Sequence, residues 1–279
     1  MNNTTTGRLT LVGTPIGNLS DVSPRALEAL QSCDFIAAED TRVTRNLLHH
    51  FEIKKPLVSY HEHNKRESGD AICARLQNGE NGVLVSDAGL PAISDPGEDL
   101  VRLCHDRDIP VGIVPGPCAL VTALALSGMP AGRFTFEGFL STTHRVRREH
   151  LQSLQNETRT MLFYEAPHKL RATLADMYAV FGERPIALVR ELTKIHEEVR
   201  RTTFSEAIAY YETTAPRGEF VLIVGGAQKS ADDDVPLDTA IALAREYLTA
   251  GDAPSAAAKR AAAETGHPKN ALYRALIEK

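Results

Sequence analysis

Asp87, Gly89, Pro91, Asp95, Pro96 and Gly97 crowd one short stretch of the chain. Two carboxylates beside glycines suit a small polar ligand: the acids accept hydrogen bonds from amino or hydroxyl groups, and glycine, lacking a Cβ, lets backbone approach closely. Val83-Leu84-Val85 precedes the stretch and reads as a short buried strand. Residues 98–107 follow it with Leu100, Val101, Leu103 and Cys104 at helical spacing. A strand that runs through such a loop into a helix places the loop at the carboxyl end of a sheet, where open α/β proteins bind ligands.

Other chemistry-bearing residues narrow the possibilities. The loop 13–19 has Gly13 and Gly17 but fits neither G-x-G-x-x-G nor G-x-x-x-x-G-K-[ST], which argues against a dinucleotide fingerprint and a lysine-bearing phosphate cradle. His61 and His63 would supply two metal ligands where zinc needs three or four, so a polar rim is expected and no metal. Cys33, Cys73, Cys104 and Cys118 are far apart, form no C-x-x-C pair and read as buried, reduced thiols. Arg145, Arg147 and Arg148 form the densest basic run. It is either a solvated helix start or a phosphate-contacting loop, since guanidinium forks fit phosphate oxygens. Beyond Ala253, Lys259, Arg260, Lys269, Arg274 and Lys279 stand against Glu264 and Glu278. Two short helices joined at Gly266 resemble a small helix-turn-helix unit that either docks on RNA or packs on the body.

These residues must be positioned by a chain of 279 residues, 43% hydrophobic and 24% charged, with a net charge of −5. That composition builds a packed core and argues against a uniformly basic surface, but it leaves a local basic patch open. No apolar run is long enough to span a membrane, and the polar residues 1–8 lack a signal core. A cytoplasmic protein is expected.

Strand and helix alternate along the first half. Strands are expected at 9–12, 35–38, 56–59, 83–85 and 111–114, and helices at 24–32 (Ser23 as N-cap, Pro24 in the first turn), 43–51, 69–77 and 98–107. This is the pattern of a parallel sheet with helices on both faces, whose strand-end loops gather along one edge. An apolar helix at 119–127, closed by Gly128 and Pro130, marks a boundary. A second set follows: strands at 134–137, 160–164, 186–190, 197–203 and 220–224, with helices at 146–154 and 168–181. The short link before 197 suggests an antiparallel pair and a mixed sheet. An acidic linker at 228–234 leads to alanine-rich helices at 237–249, 255–265 and 268–277. The expected domains are therefore 1–118, 119–228 and a helical tail at 235–279.

The loops occur in a recognisable order. Thr14-Pro15-Ile16-Gly17-Asn18-Leu19, Glu39-Asp40-Thr41-Arg42, Ser59-Tyr60-His61-Glu62-His63-Asn64, Ser86-Asp87-Ala88-Gly89-Leu90-Pro91, Ser94-Asp95-Pro96-Gly97 and Pro115-Gly116-Pro117 are followed by Glu137-Gly138-Phe139-Leu140, Phe163-Tyr164-Glu165, Pro167-His168, and Arg190-Glu191-Leu192-Thr193-Lys194 with Glu197-Glu198. Across residues 8 to 226, and more loosely into the tail, the chain resembles the tetrapyrrole-methylase superfamily, and within it the bacterial small-subunit ribosomal RNA ribose-2′-O-methyltransferases. It departs from that pattern at Ser141-Thr142-Thr143, where the family has proline and a basic residue, and at Cys118, where serine is common.

The resemblance implies S-adenosylmethionine as methyl donor, a cleft between two α/β domains, a homodimer, and the 2′-hydroxyl of a cytidine in the decoding region of 16S rRNA in the small ribosomal subunit as acceptor. The donor site implied comprises Thr14, Pro15, Ser86, Asp87, Ala88, Gly89, Leu90, Cys118, Ala119, Leu162, Phe163 and Leu192. Main-chain N–H groups near Gly89 and Cys118 would take the donor's carboxylate, Asp87 its amino group or ribose, and the backbone of Leu162 and Phe163 its adenine. A sulfonium donor carries no phosphate, so a missing lysine cradle is no defect. Candidates for the base are Glu165, Glu191, Lys194 and His61; candidates for RNA contact are Arg42, Arg145, Arg147, Arg148, Lys259 and Arg260. Two other readings stand beside this one: methylation of a tetrapyrrole or other small molecule on the same fold, and an RNA-binding protein without catalysis.

Overall fold

The computed structural model describes residues 6–228 and 235–277. The acidic linker expected at 228–234 lies, from 229 on, outside the described residues, as do residues 1–5, 278 and 279. The first sheet is built by β1 (Leu9–Val12), α1 (Pro24–Ser32), β2 (Phe35–Ala38), α2 (Thr41–His50), β3 (Leu57–Ser59), α3 (Lys65–Gln77), β4 (Gly82–Val85), α4 (Gly97–Asp106) and β5 (Val111–Val114). Its order is β3-β2-β4-β1-β5, with every pair parallel.

The two-residue period of the strands sorts their side chains between two cores. Leu84 joins Leu9, Leu11 and Phe35 on one face with Ile72 of α3 and Leu100 of α4. Val83 and Val85 join Ile36 and Ala38 on the other with Leu30 of α1 and Leu48 of α2. The helices start where short polar side chains satisfy free N–H groups. Ser23 accepts from Ala26 N at 3.1 Å, and Asp40 accepts from Arg42 N at 2.8 Å. The Asp40 cap starts α2 at Thr41 rather than 43. α3 begins at Lys65, a turn earlier than expected, because Ser68 N already reaches back to Asn64 O at 3.0 Å.

α5 (Ala119–Ser127) ends on Gly128 at φ 71, a left-handed cap. It leads to β6 (Phe134–Phe139), α6 (His144–Ser153), β7 (Thr160–Glu165), α7 (Leu170–Phe181), β8 (Pro185–Arg190), β9 (Glu198–Thr203), α8 (Phe204–Thr213) and β10 (Phe220–Val224). The order is β6-β7-β10-β8-β9. β6 and β7 run parallel, while β10 pairs antiparallel with both neighbours and β8 with β9. The sheet is mixed, as the short link before β9 implied. Ile186, Leu188, Phe220 and Leu222 face the core shared with α7 and α8, whereas Ala187, Val189, Val221 and Ile223 face α5.

α8 was not expected from sequence. Its signal is a capping box: the side chains of Thr203 and Glu206 each accept from the other's backbone.

The described residues up to Gly226 form one compact unit and those from Ala227 a second. In the second, α9 (Leu237–Thr249), α10 (Pro254–Thr265) and α11 (Lys269–Ile277) pack around Ala240, Ala244, Ala258, Ala261 and Leu272. Among the described residues no helix is long and apolar enough to cross a membrane.

Candidate active site

Because the first sheet is parallel, the loops after β1, β2, β4 and β5 meet at its carboxyl edge. Glycine makes the meeting possible: a Cβ on Gly13 would lie 2.7 Å from Gly116 Cα, so the loops after β1 and β5 touch backbone to backbone. Thr14 and Gly89 then join the loops after β1 and β4, with Thr14 N donating to Gly89 O at 2.9 Å and Gly89 N to Thr14 O at 3.2 Å. The hydroxyls of Thr14 and Ser86 also donate to Gly89 O, at 3.3 and 3.2 Å. Thr14 and Ser86 are thereby buried braces of the loop. The N–H of Gly89 is taken up by Thr14, so it is not free for a ligand's carboxylate, contrary to the expectation. Gly89 itself sits at φ 88, where a side chain would be strained.

Between this edge and the second sheet lies a cavity of about 320 Å³. The residues from Ser86 to Leu90, with Cys118 and Ala119, form one wall; Glu165, Glu191, Leu192 and Lys194 stand on the other. Cys118 is half-buried at the N-cap of α5, unlike the buried Cys33, Cys73 and Cys104. Thr14 and Pro15 line an adjoining hollow that shares Ser86 and Asp87 with the cavity.

Several expected residues fall elsewhere. Leu162 and Phe163 are buried inside β7 and do not line the cavity; Tyr164, Val189 and Val221 supply its apolar wall. His61 is also outside the lining. Its N–H donates to Asn64 Oδ1 at 2.8 Å, which fixes the turn after β3. Glu165 is 1% exposed and fully engaged: it accepts from Ala166 N at 2.8 Å, from Thr173 Oγ1 at 2.5 Å and from Lys169 Nζ at 3.1 Å. With both oxygens taken up by three donors, Glu165 is a brace of the second wall.

Glu191 and Lys194 remain. The Lys194 ammonium lies 2.9 Å from Glu191 Oε1. The segment that carries them is strained, with Glu191 at φ 51 and Thr193 at φ 65; left-handed backbone at such residues costs about 1–3 kcal/mol each and is found at functional sites. The loop after β1 backs it: a Cβ on Gly17 would lie 2.6 Å from Lys194 Cγ.

Glu39 was missed as a site residue, although it opens the Glu-Asp-Thr-Arg motif directly after β2. It lines the cavity with Asp87 and Asp95. Burial, then the nearby charges of Asp87 and Asp95, push its carboxyl above the usual range. Asp87 Oδ1 accepts from Asp40 N at 2.9 Å. Asp95 Oδ1 accepts from Ala92 N at 2.9 Å and Gly97 N at 2.8 Å, so it closes its own loop at the start of α4. Carboxylates on one side and an apolar wall on the other suit a ligand that carries positive charge beside a flat apolar ring.

The basic candidates divide. Arg42 and Arg145 are exposed, paired with Asp40 at 2.7 Å and Glu149 at 2.8 Å. Arg148 is half-buried, with its Nε lacking a partner. Arg147 departs from the expectation of an RNA contact: it is 7% exposed, paired with Asp176 at 2.6 Å and donating to Ser141 O at 3.2 Å. It anchors α6 to α7 and has no free fork for phosphate. In the second unit Lys259 and Arg260 are exposed; Arg260 pairs with Asp252 at 2.7 Å and stacks 3.9 Å over the ring of Tyr247. Among the described residues no group of three or more His, Cys, Asp or Glu is placed to hold a metal ion.

The geometry has counterparts in known proteins. The profile of the Tetrapyrrole (Corrin/Porphyrin) Methylases matches residues 8–208. A Synechocystis sp. protein named Ribosomal RNA small subunit methyltransferase I is 47% identical, over 98% of this chain and 98% of its own length. A protein of the same name from Thermotoga maritima is 46% identical over its whole length, which covers 80% of this chain. Among solved structures, uroporphyrin-III C-methyl transferase from Thermus thermophilus complexed with S-adenyl homocysteine superposes with a TM-score of 0.55 at 18% identity, covering 78% of this chain and 97% of its own.

Proposed function

The chain belongs to the tetrapyrrole methylase family, and on that premise we propose that it transfers a methyl group from S-adenosylmethionine to small-subunit ribosomal RNA, at the ribose 2′-hydroxyl of a cytidine in the decoding region. The observation that carries the RNA acceptor is the near-full-length similarity to relatives named for that RNA. The ribose 2′-hydroxyl and the cytidine rest on the motif resemblance.

The cavity fits the donor. Tyr164, Val189 and Val221 would flank the adenine, and Asp87 and Glu39 would face its amino group and positive charge. The first turn of α5, which carries no side-chain cap, would take its carboxylate at the positive end of the helix. S-adenosylmethionine supplies an electrophilic methyl group on a sulfonium. The chain's own contribution is to hold the ribose oxygen in line with it, which is where most of the rate comes from in such displacements. Glu191 accepts the hydroxyl proton at its free carboxylate oxygen, and the Lys194 ammonium steadies the negative charge growing on the ribose oxygen. Leu90 and Leu192 line the cavity and would shield the reacting atoms from water.

In this reading, residues 1–118 and 119–228 act as two domains walling the site. Arg42, Arg145 and Arg148 would meet phosphates outside it. The tail at 235–279 would add phosphate contacts through Lys259 and Arg260, which are exposed. Pairing with a second copy rests on the motif resemblance. Acting on bacterial-type small-subunit ribosomal RNA, the protein would work in the cytoplasm.

The test is incubation of the purified protein with methyl-labelled donor and unmethylated small ribosomal subunits. Label in RNA supports the reading; label only in an added uroporphyrinogen would support the tetrapyrrole alternative.

A further inference from the structure

Ile195 is 97% exposed, the most exposed of the large hydrophobic side chains among the described residues. A lone apolar side chain in solvent is ordinary. Its mounting is not. Lys194 N donates to Glu191 O at 3.0 Å, and Glu197 N to Lys194 O at 3.1 Å. Glu197 Oε2 reaches back to accept from Thr193 N at 2.7 Å. Two successive turns, cinched by a carboxylate and strained at Glu191 and Thr193, therefore hold the isoleucine outward as a fixed tip. The side chain gains no burial in return, so it does not stabilise the loop that presents it. It directly follows Lys194, whose side chain lines the cavity.

We propose that Ile195 is a wedge that enters the RNA beside the target nucleotide, holds it out of its stack and delivers its ribose to Glu191 and Lys194. The proposal rests on the RNA reading given above. Glu191 and Lys194 line a recessed cavity between two walls, so a nucleotide that brings its ribose to them must turn out of a stacked strand, as targets do at enzymes that extrude a base. Apolar side chains of this kind, inserted between bases, hold such an opening. A branched aliphatic tip fits between base faces without asking for a hydrogen bond, and the neighbouring Lys194 and His196, both exposed, keep the approach polar for the backbone.

The test uses the full-length protein on unmethylated small ribosomal subunits, comparing Ile195→Ala, Ile195→Leu and wild type. Ile195→Ala is expected to lower kcat about ten- to a hundredfold. Subunit affinity should change much less, and donor affinity and melting temperature not at all, because the side chain touches nothing in the free protein. Ile195→Leu is expected to restore most of the rate. Equal turnover by Ile195→Ala and wild type would overturn the wedge. So would a loss of rate accompanied by a shift toward monomer in sedimentation, which would make Ile195 a contact between copies. If wild type itself leaves RNA unlabelled, the RNA reading fails first, and the two failures are thereby told apart.

Discussion

Lys194 Nζ and Glu191 Oε1 stand 2.9 Å apart across a single turn whose backbone closes from Lys194 N to Glu191 O at 3.0 Å. The pair is prearranged before any substrate arrives, and in the proposed mechanism the second Glu191 oxygen takes the proton. Glu191→Gln and Lys194→Ala should each cut kcat by about 10²-fold or more, with donor affinity held within a few fold by calorimetric titration. Near-wild-type turnover in both variants would remove the pair from the chemistry.

Gly89→Ala tests the loop rather than the chemistry. At φ 88 an alanine is strained by about 1–2 kcal/mol, and its Cβ would lie 3.2 Å from Ile16 Cγ2. The melting temperature should fall by several degrees. Donor affinity should fall with it, because the Thr14–Gly89 bridge shapes the wall. Unchanged values for both would mean that the loop tolerates a side chain and does not frame the site.

Glu39 makes a pH prediction with a definite sign. Its carboxyl is raised above the ordinary value of 4.5, chiefly by burial and then by Asp87 and Asp95. The unfolded chain therefore releases this proton more readily than the folded one. The contribution of Glu39 to stability is fully present below about pH 4.5 and is lost as pH rises through the folded value. Glu39→Gln, which stays neutral, should melt higher than wild type at pH 7 to 8, with the difference vanishing near pH 4. A difference that grows toward acid would reverse the assignment.

The sheets were legible because their strands are short β-branched runs bounded by breakers, and β1, β2, β5 and β10 begin and end where the pattern says. α8 was hidden because Phe204, Ala207 and Tyr211 follow a strand with no glycine or proline between, and only the Thr203–Glu206 box marks the change. At the site, Asp87, Glu191 and Lys194 could be found from their motifs. Glu165 and His61 follow strands that end near the cleft, so spacing alone placed them with the others. The three donors around Glu165, and the bond from His61 N to Asn64 that fixes its turn outside the cavity lining, are tertiary facts. Glu39 shows the converse: its role comes from Asp87 and Asp95 arriving from another strand.

Arg147 and its neighbours should separate stability from RNA binding. Arg147→Ala leaves the half-buried Asp176 with only His144 beside it, at 3.2 Å. Breaking such a pair costs about 3–5 kcal/mol, seen as a large drop in denaturant midpoint. Arg145→Ala with Arg148→Ala should leave the Arg147–Asp176 pair intact, while flattening the salt dependence of RNA binding by about 0.7–0.9 log unit for each phosphate no longer neutralised. A stable Arg147→Ala variant, or an unchanged salt slope in the double variant, would undo this division.

Methyl transfer to a ribose oxygen of RNA is read out by nucleoside analysis of the product. Small ribosomal subunits lacking the modification, treated with the full-length protein and labelled S-adenosylmethionine, are digested to nucleosides and separated by chromatography with mass detection. The label is expected in 2′-O-methylcytidine, and absent when Lys194→Ala replaces the wild type. Label in a base-methylated nucleoside, or in no nucleoside at all, would contradict the account.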